Sequence, residues 1–146
     1  MESRPCILIS ACLLGHACRY DGRSKPNEAV TRLKESYRLI PVCPEVCGGL
    51  KIPRVPSERQ PNGSFLNKAG EDVTANYKKG AAVALALAKK YGCKTAVLKA
   101  KSPSCGSSEI YDGSFTGTLI PGEGCTASLL RENGITVLSE DETDSL

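Results

Sequence analysis

Cysteine is the residue type that stands out in this chain. Eight occur among 146 residues, beside one His, one Met and no Trp, so the sulfur is expected to do work beyond packing. No neighbouring pair has the Cys-x-x-Cys spacing of zinc ribbons or thioredoxin-like sites, which argues against a structural zinc knuckle. Three of the eight, Cys12, Cys43 and Cys105, follow apolar runs that read as strands. Thiolates select soft or borderline ions, chiefly zinc, copper(I) and iron–sulfur clusters, and the spacing alone does not choose among them. Three protein ligands leave one coordination position open, which marks a catalytic centre rather than a structural one. In a four-iron cluster, one iron is then free to take a substrate atom. Glu45 stands two residues after Cys43 and Ser102 three before Cys105. There a carboxylate can move a proton and a hydroxyl can orient water or substrate. Ser104, across Pro103, is a candidate substrate contact, with capping of loop amides as the alternative role for its hydroxyl.

The other thiols divide by position. Cys6, Cys93 and Cys125 read as small buried hydrophobes or helix-end residues, whereas Cys18 and Cys47 stand close enough to the proposed centre to serve as a fourth ligand or a sulfur relay. The single His16 reads as a turn residue with its ring in solvent, which makes a His-dependent catalytic triad a poor fit.

Residues this far apart in sequence meet only if the fold brings them together. Cys6-Ile7-Leu8-Ile9, Arg38 to Cys43, Thr95 to Lys99 and Ile135 to Leu138 are short apolar runs of the kind buried on both faces of a sheet. Between them, Asn27 can cap a short helix carrying Val30 and Leu33. Thr74 is placed to cap a long Ala-rich helix over Asn76 to Tyr91, with Ala81, Ala84 and Ala88 on one stripe and Gly92 as its stop. A last helix is expected over Thr126 to Asn133, and an irregular loop from Pro44 through Pro53, Pro56 and Pro61. Ser139 to Leu146 reads as an acidic, frayed tail. The alternation implies a small α/β, Rossmann-like domain with a mostly parallel sheet and crossover helices. In such sheets the loops leaving the carboxyl ends of the strands converge on one crevice, and the three thiols are expected to meet there.

Composition narrows the class. With 40% hydrophobic and 24% charged residues and a net charge of +3, one domain over residues 1–146 is expected, without wholesale disorder or a polybasic nucleic-acid tail. Ile9-Ser10-Ala11-Cys12 resembles a lipoprotein cleavage site only superficially. Too few residues separate Arg4 from it for an apolar segment of roughly 7–15 residues, and the apolar run is short of the roughly 20 needed to cross a bilayer. A cytoplasmic protein with reduced thiols is the expectation, with nucleic acid and membrane not expected as partners.

Taken together, Ser10-Ala11-Cys12-Leu13-Leu14-Gly15, Cys18-Arg19-Tyr20-Asp21-Gly22, Pro41-Val42-Cys43-Pro44-Glu45, Gly48-Gly49-Leu50, Pro53-Arg54-x-Pro56-x-Glu58 and Ser102-Pro103-Ser104-Cys105-Gly106 resemble the thiouracil desulfidase family. The likeness continues through Asp72-Val73-Thr74, Ile110-Tyr111-Asp112-Gly113 and Gly122-x-Gly124, covering nearly the whole chain in order. It implies an iron–sulfur enzyme that desulfurates a small thiolated pyrimidine without redox change, converting 2-thiouracil or 4-thiouracil plus water to uracil and hydrogen sulfide. It further implies a [4Fe-4S] cluster held by Cys12, Cys43 and Cys105, with Glu45 as the acid/base carboxylate and Ser102 as the catalytic serine. Three other readings compete. A redox- or oxygen-sensing module would show four protein ligands, with Cys47 or Cys18 among them. A persulfide sulfurtransferase would be metal-free and depend on one low-pKa thiol. A desulfidase of thiolated RNA would need a basic groove that +3 does not promise.

Overall fold

The computed structural model describes residues 4–16, 21 and 27–146. Four strands form the central sheet: β1 (Cys6–Ser10), β2 (Arg38–Val42), β5 (Thr95–Leu98) and β8 (Thr136–Ser139). They lie in the order β2-β1-β5-β8, with every pair parallel, in accord with the expected α/β class. Successive residues of β1 face opposite sides of the sheet, and both sides are apolar. Ile7 and Ile9 pack with Leu13, Val30 and Val97 on one face, Leu8 with Ala84, Ala88, Leu98 and Leu130 on the other. Covering both faces is why these strands read as continuous apolar runs rather than alternating ones.

Among the described residues four α-helices accompany the sheet: α1 (Glu28–Arg32), α2 (Pro44–Cys47), α3 (Thr74–Tyr91) and α4 (Cys125–Glu132). Asn27 caps α1 by accepting the Val30 N–H at 3.1 Å, as its residue type predicts. Along α3 the buried positions are Tyr77, Gly80, Ala81, Ala84 and Ala88, the stripe of one helical face. The helix ends at Gly92, whose φ of 67° permits the left-handed C-terminal cap. Thr74 opens α3 rather than capping it. Its hydroxyl instead accepts the Phe65 N–H at 2.9 Å, tying the helix to a neighbouring strand.

Two stretches in which the sequence pattern shows no strand carry hairpins. β3 (Ser57–Arg59) pairs with β4 (Phe65–Asn67), and β6 (Glu109–Tyr111) with β7 (Leu119–Pro121), both antiparallel. Three-residue strands are too short to display a two-residue period, which is why pattern alone missed them. The acidic tail is ordered as well. Residues Glu140–Ser145 form a 3₁₀ helix started by a capping box between Ser139 and Glu142. Among the described residues no helix is long and apolar enough to cross a membrane.

Candidate active site

The strand order reverses between β1 and β5, because the connection from β1 leads to β2 on one side and the chain then returns to β5 on the other. Crevices at the carboxyl ends of strands open at such switch points. Here the crevice is a cavity of about 640 Å³ whose walls include Cys12, Cys43, Cys105, Glu45 and Ser102. Cys12 lies on the 3₁₀ turn Ala11–Leu14 that leaves β1, Cys43 is the N-cap of α2 just past β2, and Cys105 lies in the loop beyond β5. The loops thus gather thiols that lie 31 and 62 residues apart in the chain.

The donor set suits a cluster. Cys12 and Cys105 are 8% and 4% exposed. Burial pushes the Cys105 thiol up to about 12; a hydrogen bond with Ser10 opposes this, while the charges of Glu45 and Cys43 add to it. Burial also raises Cys47, Cys93 and Cys125. A thiol held in this way stays protonated at neutral pH until a metal displaces the proton, the reverse of what a free persulfide nucleophile needs. Among the described residues no three His, Cys, Asp or Glu side chains converge to hold a single metal ion; the three thiols instead line a cavity much larger than an ion.

Glu45 projects from the first turn of α2. Its Oε2 accepts a 2.7 Å hydrogen bond from the Tyr77 hydroxyl and lies 3.4 Å from an Arg54 guanidinium nitrogen. Tyr77 is buried on α3 and stacked on Phe65, ring centroids 4.7 Å apart. Burial first, and then the Glu45 charge, push its phenol far above the ordinary range, so it remains a donor. Two donors on one oxygen fix the carboxylate and leave Oε1 without either of them, on a side chain that lines the cavity. Ser102 is oriented differently. Its Oγ accepts the N–H groups of Ser104 and Cys105, both at 3.1 Å. With its lone pairs engaged, the hydroxyl proton is the part left to act outward.

Ser104 is not on the cavity wall. It is fully buried, 2.7 Å from the Thr126 hydroxyl and in hydrogen-bond reach of Cys105, so its surroundings suit support of that thiol rather than contact with substrate. Cys47 lines a second cavity of about 280 Å³ together with Cys43, His16, Val46, Ile52 and Leu87, and is not on the wall where the three thiols meet. Cys18 lies outside the described residues. Among the basic side chains near the site, Lys99 lies 3.2 Å from Glu140, Arg54 pairs with Glu45 and Arg59 donates to the Glu123 carbonyl, while Lys68 and Lys101 on the cavity wall are exposed.

A family model described as 2-thiouracil desulfurase matches residues 7–142. The chain belongs to that family. Among curated relatives of this desulfurase, the "Uncharacterized protein YbbK" of Bacillus subtilis (strain 168) is 40% identical over 149 residues, covering 96% of this chain and 99% of that protein. A solved structure titled [4Fe-4S]-dependent thiouracil desulfidase TudS is 46% identical with a TM-score of 0.92, over 98% of this chain and 95% of its own. Two features in and around the cavity escaped sequence reasoning. Tyr77 read as an ordinary helix position, and Glu140 read as part of a frayed tail. Yet Glu140 is buried, pairs with Lys99 and accepts the Ala100 N–H at 2.7 Å on the cavity wall. The only available signal was the Ser139 to Glu142 capping-box spacing.

Proposed function

We propose that this chain is a [4Fe-4S]-dependent desulfidase that hydrolyses a small thiolated pyrimidine, 2-thiouracil or 4-thiouracil, to uracil and hydrogen sulfide. The reaction balances without electrons: water supplies the oxygen of the new carbonyl, and its two protons leave with the sulfur. What carries this reading is the meeting of three thiols from three strand ends on one cavity in a chain of the 2-thiouracil desulfurase family. Cys12, Cys43 and Cys105 hold the cluster. When bound, it supplies a soft Lewis acid for the thiocarbonyl sulfur, which hydrogen-bond donors alone would grip poorly.

The protein's own groups handle water and protons. Glu45 Oε1 takes a proton from the attacking water and returns it to the departing sulfur, while Tyr77 and Arg54 hold the other oxygen still. The Ser102 hydroxyl donates toward the oxygen that becomes the carbonyl, its own oxygen being anchored by two amides. Ser104 supports Cys105. Cys47 neighbours Cys43 but is not on the wall where the three thiols meet, which favours an open coordination position over a four-cysteine sensor. A net charge of only +3 favours a free base over RNA. Residues 1–146 act as one domain, in the cytoplasm, where thiols stay reduced.

The test is anaerobic purification with iron and acid-labile sulfide analysis, followed by sulfide release from added 2-thiouracil. About four irons per chain with uracil and sulfide formed in equal amounts is the expected result. A reconstituted protein that binds zinc alone, or releases sulfur without iron, would overturn the assignment.

A further inference from the structure

The hairpins supply a part of the cavity wall that the chemistry above does not use. Glu58, on β3, is 7% exposed and lines the cavity, as do Tyr111 and Phe115 of the β6–β7 hairpin. Glu58 Oε1 accepts two backbone N–H groups, from Gly113 at 2.9 Å and Phe115 at 3.2 Å. Its Oε2 has no such bond. No side-chain oxygen shut off from solvent lacks a hydrogen-bond partner among the described residues, so Oε2 reaches solvent, and the space that Glu58 lines is the cavity. A largely buried carboxylate held by two amides, with no cation paired to it among the described residues, is costly to keep unless its second oxygen meets a donor. The backbone it grips is itself unusual. Phe115 has φ 57°, left-handed for a residue with a Cβ, and such conformations persist where surrounding contacts impose them. The other Phe of the chain is consumed in the stack on Tyr77.

We propose that Glu58 and Phe115 form the pyrimidine-recognition wall of this cavity: Glu58 Oε2 accepts the ring N3–H, and the Phe115 ring stacks on the base. This rests on the thiopyrimidine reading above and deepens it. N3 lies between C2 and C4, so one N3–H contact reads both 2-thiouracil and 4-thiouracil. A planar base offers a face to stack, which the aromatic ring matches at low entropic cost. The same carboxylate therefore positions the ring through the Phe115 amide and reads the base edge directly.

The test compares the wild-type holoenzyme with Glu58→Gln and Phe115→Leu, using 2-thiouracil and 3-methyl-2-thiouracil in kinetics and uracil in calorimetry. Glutamine keeps an oxygen for the two amides but turns an NH₂ donor toward the ring N–H. Glu58→Gln should raise KM for 2-thiouracil and Kd for uracil about 10- to 100-fold, with iron content and cluster absorbance unchanged. That gap from wild type should vanish with 3-methyl-2-thiouracil, which lacks the N3–H. Phe115→Leu should raise both constants about 2- to 10-fold, and Phe115→Tyr should restore them. Wild-type KM and uracil Kd in both variants, with wild type active, would overturn the wall and leave the desulfidase reading standing. If wild type releases no sulfide, the desulfidase reading fails. Uracil binding that is lost in Glu58→Gln would then still support the wall, and absence of uracil binding to wild type would overturn it. Should Glu58→Gln not fold, Phe115→Leu against Phe115→Tyr decides by uracil Kd alone.

Discussion

In Glu45 the two carboxylate oxygens have different fates: Oε2 carries Tyr77 and Arg54, Oε1 carries neither, and the side chain lines the cavity. This division lets a flexible side chain act from one geometry, and its consequences are measurable. Glu45→Gln and Ser102→Ala should retain iron and visible absorbance while kcat for sulfide release falls about 10²- to 10⁴-fold, the usual contribution of a positioned proton donor or acceptor. Tyr77→Phe removes one hydroxyl and keeps the Phe65 stack, so kcat should fall about tenfold with KM little changed. The ligands behave otherwise. Cys12→Ser, Cys43→Ser and Cys105→Ser should each lose the cluster, read directly as iron and labile sulfide per chain, because a hard hydroxyl is a poor substitute for thiolate. Persistence of the full cluster without any one of these thiols would refute its assignment as a ligand.

The elements set where those residues stand, and small residues govern how closely they approach. A Cβ at Gly80 of α3 would lie 1.9 Å from the Pro44 carbonyl oxygen, and one at Gly48 would lie 2.0 Å from the Asn76 carbonyl oxygen. The four-residue α2, which bears Glu45 and follows directly on Cys43, is thus seated on α3 backbone to backbone. Gly80→Ala should force α2 away, costing about 1–3 kcal/mol as overpacking does, and lowering iron content beyond what an equally destabilising change elsewhere causes. Urea unfolding alongside iron analysis checks both. At the other end of the chain, Ser139→Ala should cost about 1 kcal/mol by unseating the final 3₁₀ helix. Because Glu140 then loses its hold on Lys99 and Ala100, the cavity wall should loosen with it.

Over the whole molecule the cavity gathers residues at the carboxyl ends of all four sheet strands, so a group bound by its thiols stabilises the folded chain through mass action. Removal of iron by chelator under mild oxidation should lower Tm, and anaerobic reconstitution should restore it. Alkaline pH supplies another lever. Burial, aided by nearby Cys6, raises the Cys93 thiol from 9.0 to about 11. Between those values the unfolded chain gives up a proton that the folded chain keeps, so stability falls as pH rises from about 9 to about 11. Cys93→Val should flatten that slope in denaturant titrations. How much of this was legible in advance follows from the range of the interactions. Apolar strand runs, the Ala stripe ended by Gly92 and the thiols just past the strands are local patterns, and each dictates its own short stretch of backbone. By itself the sequence therefore determined the α/β class, the four sheet strands, the long helix and the placement of Cys12, Cys43 and Cys105 after strands. Only the tertiary structure decided the order β2-β1-β5-β8, the two hairpins, the clamp of Tyr77 and Arg54 on Glu45, the burial of Ser104 against Thr126 and the grip of Glu58 on the Phe115 loop. The physical reason is distance along the chain: those contacts join residues as far apart as Ile7 and Thr95, which pair across β1 and β5, and their energies exist only once the sheet and helices have packed.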